Sequence, residues 1–169
     1  MRKTRLYVTL GCCMFATAIF AWAQGGRRPG LYEVTSSMTW QKSPLPPGMQ
    51  APPGSPFDGA PKTTQVCVTQ EQIDKYGGPN PAPQRGNCTV SNLQMKPDGM
   101  TAGMACTGQM VGNGTVNSTW SASGTGTTNV HFTGTMQMGP RSTPIEWTLQ
   151  ANSVFKGADC GSVKPVTAQ

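Results

Sequence analysis

The sequence predicts an all-β protein: an antiparallel meander of about seven or eight strands, curled into a barrel or half-barrel, with one short helix and two disulfides. Three observations predict it. Apolar and polar residues alternate with a period of two along much of the chain. Turn-forming pairs recur at intervals of about 10–15 residues between the alternating segments. Four cysteines, Cys67, Cys88, Cys106 and Cys160, lie beyond the N-terminal leader.

The strands can be justified in order. From Leu31 to Trp40, Tyr32, Val34, Met38 and Trp40 share one face, and Glu33, Thr35, Ser37 and Thr39 share the other. Cys88 to Met95 changes phase: Cys88 and Val90 point one way, Leu93 and Met95 the other, which predicts a bulge. Met100, Ala102, Met104 and Cys106 form a clean apolar set, as do Val116, Trp120 and Ala122. Val130, Phe132, Met136 and Met138 face away from Asn129, His131, Thr133, Thr135 and Gln137. Ile145, Trp147, Leu149 and Ala151 alternate with Glu146, Thr148 and Gln150. Each pattern is that of a strand with one buried and one wet face. Asp98-Gly99, Asn113-Gly114, Gly124 to Gly126 and Gly139-Pro140 supply the expected turns.

One helix is expected from Thr69 to Tyr76. Thr69 with Gln72 three residues later is a capping-box pattern, and Glu71 and Asp74 suit a helix start. Two stretches read as loops: residues 41–61, with seven prolines and three glycines, and Gly77 to Asn87. Within the first, Pro44-Leu45-Pro46-Pro47 has the P-x-x-P spacing of polyproline recognition, but the simpler reading is a long surface connection.

Residues 1–23 read as a signal peptide. Arg2, Lys3 and Arg5 precede an apolar run from Leu6 to about Ala21, and Ala21-Trp22-Ala23 is a small-x-small cleavage site. Residues 24–169 then form a single β-rich domain with the Pro-rich loop inside it. The apolar run is too short and too polar for a membrane anchor, so no transmembrane segment is expected in the mature chain. Lipidation at Cys12 is disfavoured because few apolar residues precede it. Removing the leader takes away half of the net charge of +6, and the remaining basic residues are scattered. No nucleic-acid footprint results. An oxidising compartment makes the four remaining cysteines disulfides, for which three connectivities exist. Strands on either side of Pro97-Asp98-Gly99 would bring Cys88 to Cys106, leaving Cys67 for Cys160.

Motifs for chemistry are sparse. His131 is the single histidine and sits on a wet strand face. The seven acidic residues are dispersed, and no H-E-x-x-H, G-x-S-x-G or phosphate loop occurs. The chain is therefore read as non-enzymatic, without a cofactor. Methionine is the one unusual supply. Met95, Met100, Met104, Met110, Met136 and Met138 could offer thioethers to Cu(I) or simply fill the core.

Arg28-Pro29-Gly30-Leu31-Tyr32-Glu33-Val34-Thr35 behind a leader resembles the opening of the bacterial exported proteins grouped as domain of unknown function 3617. The similarity continues in order through Thr64-Gln65-Val66-Cys67-Val68-Thr69, Cys88-Thr89-Val90, Met104-Ala105-Cys106, Gly134-Thr135-Met136-Gln137-Met138 and Gly157-Ala158-Asp159-Cys160. Tyr32 stands where Trp is the more usual residue. The resemblance implies a periplasmic or secreted Gram-negative protein with a β-rich fold. It supplies no activity and no catalytic residues.

The expected function is that of a non-catalytic envelope protein binding a small apolar ligand or a protein partner. Met38, Trp40, Trp120, Phe132, Met136, Met138 and Trp147 would line the barrel interior, or form its core if the interior is packed. The alternatives are copper handling through methionines and a secreted hydrolase with an unrecognised site.

Overall fold

The alternating segments fold as one antiparallel sheet. A computed structural model describes residues 27–165, apart from Pro47, Pro56, Asn80 and residues 82–86. The signal peptide expected at Met1–Ala23 lies outside the described residues. The elements are β1 (Gly30–Lys42), β2 (Lys62–Val68), α1 (Gln70–Tyr76), β3 (Asn87–Lys96), β4 (Gly99–Thr107), β5 (Met110–Trp120), β6 (Thr125–Met138) and β7 (Arg141–Gly157). Their order across the sheet is β2-β1-β7-β6-β5-β4-β3. Strands β3 to β7 are a meander of consecutive hairpins, and β1 returns the N-terminus to the far side of β7.

The sheet is open, which excludes the closed form of the expected barrel. Strands β2 and β3 are its two edges. Yet one face is deeply buried, and the structure supplies no second sheet to cover it. Met100, Met104, Val116, Phe132, Ile145 and Trp147 belong to one core cluster. Met38 and Trp40 of β1 and Cys88 and Val90 of β3 pack against that same cluster. In a flat sheet β1 and β3 would stand about 24 Å apart, at roughly 4.8 Å per strand. The sheet therefore curls into a trough that buries its own concave face. Phe132 is 0% exposed at the centre, stacked on Trp147 with ring centroids 5.3 Å apart.

Two local expectations meet different outcomes. The bulge in β3 is present: the register with β4 shifts between Ser91 and Gln94, and Asn92 takes φ 51°. The Asn113-Gly114 turn is absent, because both residues lie inside β5 and pair with β4 and β6. Gly114 stands directly opposite both Met104 and Phe132. A Cβ there would press against both side chains and the His131 carbonyl, so this glycine makes room for the core. The sequence also conceals β2, whose residues Lys62 to Gln65 are exposed.

The disulfides fasten the two edges. Cys88 and Cys106 occupy directly opposed positions on β3 and β4. Cys67 on β2 joins Cys160 in the C-terminal tail, and Pro165 bridges to Cys67 in parallel. The loops closed span 18 and 93 residues. In the chain-entropy account these constrain the unfolded state by about 3 and about 4.7 kcal/mol. Replacing Cys67 and Cys160 together by Ala should therefore lower the urea midpoint more than replacing Cys88 and Cys106. An equal or reversed order would place the stabilisation in native packing at the β3–β4 pair.

Candidate functional site

The concave face is covered at one end by the connection between the edges. Helix α1 follows β2 directly and starts as expected. The Gln72 amide donates to the Thr69 hydroxyl, and the Gln72 side chain accepts from the Thr69 amide at 2.9 Å. It ends at Gly77, which takes φ 68° and donates its N–H to the Ile73 carbonyl at 2.7 Å. From there the chain must reach β3 on the opposite edge. Gly77, Gly78, Pro79 and Pro81 thus form a strap over the trough. A Cβ on Gly77 would collide with the Trp120 indole. Trp120 is held in turn by its Nε1–H, which donates to the Pro97 carbonyl at 3.1 Å.

A pocket of about 160 Å³ lies between strap and sheet. Its floor comes from four adjoining strands and β1: Met100 of β4, Ser118 and Trp120 of β5, Thr128 of β6, Ala151 and Ser153 of β7, and Val34 of β1. The space exists because small side chains fall on the inward phase here. Ser118 faces Thr128 across the ladder and their hydroxyls are 2.8 Å apart. Ser153 donates to the Gly126 carbonyl at 3.3 Å.

Arg27 forms the remaining wall. Its guanidinium lies 5.3 Å from the centroid of Tyr32 and 5.7 Å from that of Trp120, and donates to the Ser153 hydroxyl. Its Nε is buried without a hydrogen-bond partner. Burial pushes the guanidinium below its ordinary pKa, an effect only partly opposed by Tyr32. Burial likewise pushes the Tyr32 phenol up, against the pull of the Arg27 charge, and the phenol donates to the Arg28 carbonyl at 2.7 Å.

The residues anticipated for an interior divide accordingly. Of the seven, Trp120 alone lines the pocket. Phe132 and Trp147 are buried in the packed core, and Met38, Trp40 and Met136 pack against it. Met138 is corrected outright: it is 46% exposed, because β6 ends there and the Gly139-Pro140 turn carries it past the core. His131 stands on the outer face, 3.3 Å from Glu146, which also pairs with Lys42 at 2.9 Å. Sequence reasoning missed Arg27 and the floor. The usable signal was the run of small residues on the apolar phase, Ser118, Thr128 and Ser153, each interrupting an otherwise hydrophobic face.

The family described as Protein of unknown function (DUF3617) matches residues 27–160. The chain belongs to this family. No curated protein and no solved structure matches the chain. In this DUF3617 protein the matched span opens on the pocket's arginine and closes on Cys160, the partner of Cys67. Among the described residues no helix is long and apolar enough to cross a membrane, and no group of three His, Cys, Asp or Glu could hold a metal ion.

Two substitutions probe this end of the fold. Gly77→Ala should destabilise by at least about 1 kcal/mol, because an L-residue resists the left-handed conformation and its methyl meets Trp120. Chemical denaturation measures it. Tyr32, whose folded pKa is raised, contributes stability that is complete below its unfolded pKa of about 10 and is lost as pH rises from there through the higher folded pKa. The alkaline fall in melting temperature should therefore be shallower in Tyr32→Phe than in the parent.

Proposed function

We propose that this DUF3617 chain is an exported, non-catalytic binding protein whose pocket holds a small, mainly apolar molecule. The observation that carries the reading is the pocket itself. The trough is solidly packed around Phe132 and Trp147, and a pocket opens where the strap crosses the small residues of β5, β6 and β7. A cavity of about 150 Å³ lined by apolar groups accommodates a molecule of benzene size, which matches the volume here. A fold that merely needed a core would fill this end with larger side chains at Ala151, Ser118 and Ser153. Export to a Gram-negative periplasm, or secretion, is supported by the leader pattern of residues 1–23 and by the two disulfides. The non-catalytic reading rests on the dispersed carboxylates and the outward position of His131.

A second reading has one observation behind it. Met110 stands directly opposite Met136 in the β5–β6 ladder, and Met138 follows on the same face. Paired thioethers suit Cu(I). Both Met110 and Met136 also pack against the core, which accounts for them without a metal.

Native mass spectrometry of protein purified from its own host tests the readings together. A small organic adduct is expected, and Ala151→Leu should abolish it while leaving the melting temperature equal or higher. A copper adduct lost in Met136→Leu would favour the second reading. A bare protein mass under conditions that preserve non-covalent complexes would overturn both. N-terminal sequencing of the same sample should begin at Gln24.

A further inference from the structure

The pocket holds a cation with no carboxylate to answer it. The carboxylates that form ion pairs do so elsewhere: Glu146 with Lys42 and His131, Asp58 with Lys62, and Glu33 with Lys156. Arg27 has two aromatic faces, one serine hydroxyl and a buried Nε without a partner. A guanidinium carries five N–H donors; among the described residues the acceptor shown for this one is the Ser153 hydroxyl. The backbone on both sides makes room for it. A Cβ on Gly78 of the strap, or on Gly126 of β6, would collide with the guanidinium nitrogens. The guanidinium thus sits on the pocket wall between two glycines. Buried charges are normally paired, because taking an ion out of water is costly.

We infer that the pocket takes a small monocarboxylate, its carboxylate paired with the Arg27 guanidinium and its apolar body lying over Met100, Ala151 and the Trp120 indole. This rests on the pocket being a ligand site and adds the charge of the ligand. Three features select the class. The volume of about 160 Å³ limits the apolar body to about the size of a benzene ring. The planar fork of an arginine matches a carboxylate with two parallel hydrogen bonds. Among the described residues that line the pocket Arg27 is the one cation, which matches a single negative charge and disfavours a phosphate dianion. Arg28 is occupied outside the pocket, over the Phe155 ring at 5.1 Å and on the Ala122 carbonyl. The Ser118 and Thr128 hydroxyls remain on the floor for a polar substituent.

Titration calorimetry with two probes of equal size, benzoate and benzyl alcohol, tests the inference on the purified, disulfide-bonded protein. Benzoate should bind at least about tenfold more tightly, the difference a charge-assisted pair supplies. In Arg27→Met that ratio should fall to about one, and in Ala151→Leu both probes should be lost. Equal binding of the two probes to the parent protein overturns the monocarboxylate and leaves the pocket reading standing. So does a benzoate preference that survives in Arg27→Met. Binding of neither probe, in a protein that melts cooperatively, overturns the monocarboxylate and the pocket reading alike. Arg27→Lys serves where Arg27→Met does not fold: it keeps the charge and loses the fork, so the preference should shrink. An undiminished preference there overturns the bidentate contact.

Discussion

A lone sheet has to bury its own apolar face, and this requirement organises the molecule. Most sheets meet it by packing on a second layer about 10 Å away. Among the described residues the only other regular element is α1, seven residues long and with no buried residue of its own. The trough must therefore curl tightly enough for one face to serve as both halves of a core. Glycine at 114 permits it, because Phe132 and Met104 then close over a position with no side chain. The bulge at Asn92 turns β3 inward at the edge, which adds Leu93 to the partners of the core.

Curling without closure leaves two edges, and the covalent links answer that. An open edge of unpaired amides invites pairing with other chains. Strand β3 is held to β4 through Cys88 and Cys106, and β2 is backed by the tail through Cys67 and Cys160. Gly77, Gly78, Pro79 and Pro81, which follow α1, line the pocket opposite the floor of the trough. Trp120 is where these demands meet. It closes the core cluster, seats the strap at Gly77, and presents its ring to Arg27.

The legible part of this structure was whatever depends on the two faces of a strand. Period-two alternation marked five of the seven strands, and the phase change between Val90 and Leu93 marked the bulge. Cys88 and Cys106 fall on positions the hairpin at Pro97 brings together, which left Cys67 for Cys160. Illegible features depend on what lies across the trough. Asn113-Gly114 has turn composition, yet the glycine answers to Phe132, a neighbour only after β5 and β6 pair. Strand β2 carries few apolar residues because an edge buries little. The pocket was hidden for the opposite reason. Attention to the large apolar residues pointed to the packed end, whereas space arises from small ones: Ser118, Thr128, Ala151 and Ser153.

Magnitudes indicate why the pocket end is where function belongs. Desolvating a guanidinium has an effective penalty of several kcal/mol. Two ring faces return about 1 kcal/mol each. The hydrogen bond to Ser153 returns about 1.5–3. These terms roughly cancel, so Arg27 adds little to the fold beyond the packing of its stem against Tyr32 and Trp120. A methionine would pack there at no electrostatic penalty. What a methionine lacks is a positive charge on the pocket wall, and that acquires value only when an anion enters. The packed end around Phe132 can thus carry the stability, while the strapped end keeps a charge and a space that folding alone does not require.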